Sequence, residues 1–409
     1  MAVGSDPLTS APREPRAGGP LAVAARHPLL QVVAVYLAAR AFTTIAMLLI
    51  RPQLTPASRA GANPGFFEYS AIWDGQWYWY IAANGYPGQL PLDASGYVAE
   101  NQWAFMPLYP AIVSAVSLVT TLAWPVAAWL VSMGFGFGAA VTIYRLFRLR
   151  QSHRTALFGV TLFAVSPLSF MLQMAYAESM QLFFLALALY LMARRRWGLL
   201  FPTIAVLALT RPTGLALALA LGLYWLYRFV RREREEFAMR ERIVVAAVTV
   251  FSGITGFAWL LIAWAVTGSI TAYTDTELAW RAAWIGHQHL LPFAPWFQAA
   301  PFWVGETLGP FVVVAVVTAF AGALFLPPVR RLGIELRLWL ASYGLYLFAV
   351  FFPQSSLLRL LMPMFPFAAA LAEPRNPIYR VGIVVASLIL QFAWLYATWG
   401  PVSHWWSTP

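Results

Sequence analysis

FMPLYPAIVSAVSLVTT, residues 105–121, is the stretch on which the topology of this chain turns. It is apolar and long enough to be one more membrane crossing. If it crosses, the Arg-rich clusters that follow it change sides. The next apolar run, Trp124–Tyr144, ends on Arg145, Arg148, Arg150 and Arg154, and two runs later Arg194–Arg196 appears. Should residues 105–121 span, both clusters fall outside, against the tendency of basic loops to stay cytoplasmic. A segment lying along the outer surface places both inside. Pro107 and Pro110 near its start also suit a helix entry better than the middle of a span. The surface helix is therefore the reading adopted.

Working outward, the chain is 60% hydrophobic and 11% charged over 409 residues. Soluble domains carry about 25% charged residues. Apolar runs of about 17–25 residues recur without period-two alternation, which points to an all-α polytopic membrane protein and away from a β-barrel. The net charge of +11 comes entirely from Arg. These Arg residues sit in short loops between apolar runs, so they report topology and not nucleic acid. With no Cys, neither disulfides nor thiolate metal sites are available.

Eleven spans are expected: 29–50, 124–144, 155–171, about 178–192, 197–210, 213–229, 243–266, 308–326, 336–352, 357–371 and 379–398. Arg13, Arg16 and Arg26 precede the first, which fixes a cytoplasmic N-terminus. The first 28 residues are read as disordered, with Leu29 opening an anchor and not a cleaved signal. One transmembrane domain, 29–399, then carries a first outer loop at 51–123 and a second at 267–307. A tail at 400–409 with His404, Trp405 and Trp406 lies outside. The only Arg residues away from the cytoplasmic side are Arg40, Arg51, Arg59, Arg211, Arg281 and Arg359.

The first outer loop holds the candidate centre. Ser70–Pro87 reads SAIWDGQWYWYIAANGYP, with Asp74 set among Trp73, Trp77, Tyr78, Trp79 and Tyr80. A carboxylate flanked by indoles is partly desolvated, which suits a general base, although a capping acid is the plainer alternative. Glu178 is a second acid at an outer helix end. Arg211 and Arg359 also stand at outer ends, where charge is costly; a lipid-linked phosphate or headgroup snorkelling would each account for them. The aromatic rings are natural platforms for sugar faces and equally natural interfacial anchors. His287-x-His289 looks like a metal pair but has no third ligand nearby. No P-loop or dinucleotide fingerprint occurs.

Taken together, several stretches resemble the GPI mannosyltransferase 2 (PIG-V-type) family of multi-span GT-C glycosyltransferases. They are WDGQWYWYIAANGYP at Trp73–Pro87, AFMPLYP at Ala104–Pro110, SPLSFMLQMAYAES at Ser166–Ser179 and TRPTG at Thr210–Gly214. AYTDTELAW at Ala272–Trp280 and SSLLRLLMPMFP at Ser355–Pro366 add weaker matches, all in the family's order. The chain departs from the family at Trp77–Tyr78 and at Leu360.

The resemblance implies a GT-C-like fold with surface helices in the first outer loop. It also implies a polyprenyl-phosphate-mannose donor, and mannosyl transfer on the non-cytoplasmic face of the plasma membrane to a lipid or cell-wall glycan. Asp74 takes the role of base. Arg211 and Arg359 are then the donor-phosphate residues. Trp73, Gln76, Tyr86, Tyr109, Glu178 and Arg281 are the candidates for holding acceptor or sugar. No cofactor is expected, with a divalent metal left open, and membrane lipids but no nucleic acid are the further partners. The alternatives from other classes are a transporter or flippase using Asp74 and Glu178 as ion sites, and a non-catalytic scaffold of a wall-synthesis complex.

Overall fold

The structure is a computed structural model that describes residues 27–401. The expectations for the disordered N-terminal segment and for His404, Trp405 and Trp406 lie outside these residues. Among the described residues there is no β-strand, only an isolated antiparallel bridge between Leu92 and Val98.

Four helices are long and apolar enough to cross a membrane: α1 (Pro28–Ile50, continued by a 3₁₀ turn to Gln53), α5 (Trp124–Phe147), α10 (Met239–Thr267) and α18 (Pro377–Trp399). Helices α12 (Ala294–Val304) and α13 (Gly309–Ala323) would make a fifth together, but they are bent by 118°. These four or five are the candidate spans of this helical membrane protein among the described residues, fewer than the eleven expected. The reason is visible in the breaks. The run expected at 155–171 is helical only in α6 (His153–Val165), stops at Ser166–Pro167 and continues as a 3₁₀ turn, Ser169–Gln173. The run expected at 357–371 is divided at Pro363 and Pro366 into α16 (Leu357–Leu360), a 3₁₀ turn at Met362–Met364 and α17 (Pro366–Leu371), because proline removes a helix donor and clashes with the preceding turn.

The other apolar helices are short: α4 (Leu108–Thr120), α7 (Glu178–Ala193), α8 (Trp197–Ala208) and α9 (Gly214–Val230). At 13 residues, α4 covers about 20 Å, less than a hydrocarbon core of about 30 Å. It buries Tyr109, Pro110 and Val113 toward α5 and leaves Leu118 and Val119 82% exposed. Two small helices precede it, α2 (Phe66–Ser70) and α3 (Asp74–Asn84). The second outer segment carries α11 (Ala272–Ile285). A five-residue helix, α14 (Pro327–Arg331), leads into α15 (Ile334–Val350).

Packing centres on α7, which lies against α5 and α8 and is buried around most of its circumference. α9 is clasped between α10 and α15. At the α9–α10 crossing, a Cβ on Gly214 would stand 2.7 Å from the Gly256 Cα, so only glycine allows this approach. α18 instead exposes Ile378, Val381 and Ile389, the side expected to meet lipid. Arg40 of α1 is fully enclosed. It donates to the Ala164 carbonyl at 2.7 Å and to that of Ser169. Those carbonyls lie at the broken end of α6, where intrahelical donors run out. Arg40 therefore pins the break and has no place in a site.

Candidate functional site

Four charged side chains meet where the starts of α3 and α7, the α8–α9 turn and α16 converge. The Asp74 Oδ2 accepts from the Arg359 Nη1 at 2.7 Å and from the Arg211 Nη2 at 3.2 Å. The Glu178 Oε1 accepts from the same Arg211 Nη2 at 2.5 Å and lies 3.3 Å from the Arg359 Nε. All four residues are buried. Two guanidiniums against two carboxylates leave the cluster neutral, the condition under which such charges tolerate burial. The Nε atoms of Arg211 and Arg359 and the Oε2 of Glu178 are buried without a hydrogen-bond partner. Capacity to bind a further polar group therefore remains.

Local sequence explains the convergence. Asp74 and Glu178 each open a helix, α3 and α7, where a negative charge is favoured. Arg211 sits in the turn between α8 and α9, and Pro212 follows it. Trp73, the residue before α3, adopts φ 60° and ψ −123°, a region that costs a non-glycine residue about 1–3 kcal/mol. Its indole donates to the Thr398 carbonyl at 3.0 Å, and the Arg59 guanidinium lies over its ring at 4.9 Å. Gly75 then brings the first turn of α3 onto the bend before α7: a Cβ there would stand 3.3 Å from the Ala175 carbonyl oxygen. The Ala175 N–H donates to the Ser70 carbonyl at 3.0 Å, and the Asp74 N–H donates to the Tyr176 hydroxyl at 3.1 Å. Tyr176 also supports Arg359, whose guanidinium lies 5.4 Å above its ring. The Trp-Asp-Gly triplet thus sets the carboxylate against Tyr176 and the two arginines.

Two cavities meet at Asp74. One, of about 360 Å³, has Arg211 and Arg359 in its wall and is otherwise dominated by Leu215, Phe257, Leu260 and Leu347. The other, of about 820 Å³, is lined by Trp73, Gln76, Trp77, Trp79 and Tyr80 from α3 and the residue before it and by Trp280 and Trp284 of α11. Asp74, Trp280 and Gln354 belong to both.

Of the residues singled out by sequence, Asp74, Glu178, Arg211 and Arg359 come together. Trp73 and Gln76 line the aromatic cavity, and Arg281 lines the apolar one while donating to the Val350 carbonyl at 2.6 Å. Tyr86 and Tyr109 line neither. The Tyr86 hydroxyl donates to the Phe105 carbonyl at 2.8 Å, and the Tyr109 hydroxyl is shared with that of Ser132 at 2.8 Å inside the α4–α5 contact. The surroundings of Asp74 also differ from the expected ring of indoles. Its partners are guanidiniums and a tyrosine, because Tyr78 packs on Phe105 and Tyr109 while Trp79 and Tyr80 turn toward the cavity mouth. His287 lies 3.2 Å from Asp93 and stacks on Tyr97 at 3.9 Å. Among the described residues, no three His, Cys, Asp or Glu side chains gather as metal ligands.

Sequence reading singled out Arg281 but assigned no role to Tyr176, nor to Tyr273 and Glu277, which form a row with Arg281. That row has the i, i+4, i+8 spacing of a single face of α11. Tyr273, Glu277 and Arg281 all border the apolar cavity. α11 is not among the spans. Burial pushes the Glu277 carboxyl above its ordinary range, against the opposing pull of Arg281.

No protein-family model matches the chain, and no curated protein is similar to it. Among solved structures, it is similar to the archaeal oligosaccharyltransferase AglB from Archaeoglobus fulgidus, in complex with an inhibitory peptide and a dolichol-phosphate. That likeness has 14% identity and a TM-score of 0.46, covering 92% of this chain and 56% of the other. The apo form of the A. fulgidus oligosaccharyltransferase gives 13% identity and a TM-score of 0.44, covering 88% and 56%. The chain therefore spans little more than half the length of these neighbours.

Proposed function

We propose that this chain is a membrane-embedded glycosyltransferase of GT-C type. It moves a sugar, mannose on the sequence resemblance, from a polyprenyl-phosphate carrier to an acceptor hydroxyl. The observation that carries the proposal is the position of Asp74, a carboxylate paired with Arg211 and Arg359 in the wall between an apolar cavity and an aromatic, polar one. The apolar cavity suits the first part of a polyprenyl chain. Arg211 and Arg359 suit its phosphate, since guanidiniums match phosphate oxygens in fork geometry. The Arg211 Nε has no hydrogen-bond partner of its own to give up.

In this reading the incoming phosphate competes with Asp74 for the guanidiniums and loosens the hold on Oδ2. Asp74 then removes the proton from the acceptor hydroxyl as that oxygen attacks the anomeric carbon. The carbon–oxygen bond to the phosphate breaks, and polyprenyl phosphate leaves with its new negative charge held by the arginines. Attack opposite the leaving group inverts the anomeric centre. Glu178 keeps the two guanidiniums in place during the exchange. The site opens to the non-cytoplasmic side of the plasma membrane, with the N-terminus in the cytoplasm and α4 on the outer surface. A reporter fused at Arg150 is then cytoplasmic; an external signal there overturns this orientation.

The direct test supplies the purified protein in lipid nanodiscs with a short-chain polyprenyl-phosphate mannose labelled in the sugar. A membrane extract serves as acceptor source. Labelled glycoside formation upholds the proposal. Movement of the intact donor across the bilayer without a new glycosidic bond supports a flippase instead.

A further inference from the structure

We infer that the aromatic cavity is an acceptor site for a neutral glycan of more than one sugar unit. This deepens the transferase reading above and rests on it. The argument begins with α3. Gln76, Trp79 and Tyr80 follow one another at i, i+3, i+4 and so share a face that leads away from Asp74. Tyr80 lies six residues past Asp74, about 9 Å along the helix axis, which is longer than a single pyranose ring.

The opposite wall comes from α11, where Trp280 and Trp284 stand one turn apart. The two walls touch at the inner end, where Trp77 meets the Trp280 edge at 5.8 Å between ring centroids. Trp77 is itself backed by Phe105, stacked at 5.7 Å and 18°. Toward the mouth the rings are left bare: Trp79 is 52% exposed and Trp284 39%.

Flat apolar rings interspersed with amide and charged groups suit the two aspects of a sugar, its C–H face and its hydroxyl rim. Arg59 and Gln76 form such a polar pair, joined at 3.1 Å. Anchoring at a lipid interface would also call for Trp and Tyr. It would not call for two helices to turn them toward each other around a space of about 820 Å³ with Arg59, Gln76 and Glu100 in its wall.

Charge selects the class of glycan. Asp74 is already paired with two arginines. The remaining ionisable lining is Arg59 and Glu100, one of each sign. The cavity therefore offers no net charge to a phosphate or uronate, and its occupant is a neutral oligosaccharide end whose terminal hydroxyl reaches Asp74.

The test places the full chain in nanodiscs over an array of neutral, acidic and aminosugar glycans, then measures solution affinity for mono- to tetrasaccharides of the best class. Affinity is expected to rise from one to three units. Trp79→Ala and Trp284→Ala should each weaken it on the order of tenfold, about 1.4 kcal/mol, with unchanged melting as the folding control. Absence of any glycan binding overturns the inference, as do preference for acidic glycans and indifference to both substitutions. Transfer of the donor sugar to a lipid bearing no sugar also overturns it, while leaving the transferase reading intact. Neutral glycan binding without transfer or hydrolysis of the donor sinks the transferase reading and leaves the cavity a glycan site.

Discussion

The two cavities that share Asp74 are built from different materials. The smaller is mostly aliphatic and phenyl, with Tyr273, Tyr343 and Tyr346 also in its wall, and it holds two buried cations, Arg211 and Arg359, already matched by acids. The larger has indole and phenol walls and one exposed-facing ion of each sign. The first is made mainly by helices of the later chain, α9, α10, α11 and α15, and the second by α3 and α11. The difference teaches that Asp74 is not in the middle of one pocket. It is a partition between a place for a chain and a place for a ring.

The largest effect should come from the partition itself. Asp74→Asn keeps the volume but removes the proton acceptor, and transfer should fall about 10²–10⁴-fold. Because it also leaves two guanidiniums against Glu178 alone, melting should be followed alongside. A transfer rate within tenfold of the parent removes Asp74 as base.

Next, Arg359→Lys tests whether the two sides are separable. Lysine keeps the charge but loses the fork that meets both carboxylates. Donor kcat/KM should fall about 10–100-fold, more than glycan affinity does. Equal losses on both sides would mean one pocket and not two. A smaller effect is expected for Arg59→Ala, which uncovers the Trp73 ring and frees Gln76. The KM for acceptor should rise about threefold to tenfold with kcat little changed, as for groups that act in uniform binding.

The smallest effect concerns Glu277 at the edge of the apolar cavity. Its carboxyl is raised by burial, so the folded protein holds that proton more tightly than the unfolded chain does. Ionisation therefore costs stability. The cost is absent below about pH 4, grows as pH rises through the ordinary carboxylate range, and is complete once pH passes the raised value. Glu277→Gln removes the cost. The variant's melting temperature relative to the parent should therefore move upward between about pH 4 and pH 7. A gap independent of pH would show that the row on α11 is held by packing alone.

Much of the site was legible because charge is conspicuous in a chain this apolar. Asp74, Glu178, Arg211 and Arg359 each stood out at a helix end. Their meeting was not legible: Asp74 and Arg359 are 285 residues apart, and no local pattern encodes such a contact. Helix starts at Trp124 and Trp197, a first helix start within one residue of Leu29, and the short length of α8 followed from sequence punctuation. The number of spans did not, since hydropathy does not register where Pro167, Pro363 and Pro366 break an apolar run. Tyr86 and Tyr109 misled because a buried phenol and a ligand-facing one look alike until their hydroxyls find Phe105 and Ser132. Glu277 was readable as the i, i+4 partner of Arg281 but was hidden in a segment taken as a loop.

The neutral cluster also sets a timetable. Its members are made in the order Asp74, Glu178, Arg211, Arg359, with acids first. Before Arg359 leaves the ribosome, two carboxylates face one guanidinium, and an unmatched charge resists removal from water. The centre therefore stays hydrated until the last third of the chain is inserted. A chain that ends before residue 359 therefore leaves one acid of the cluster without its partner.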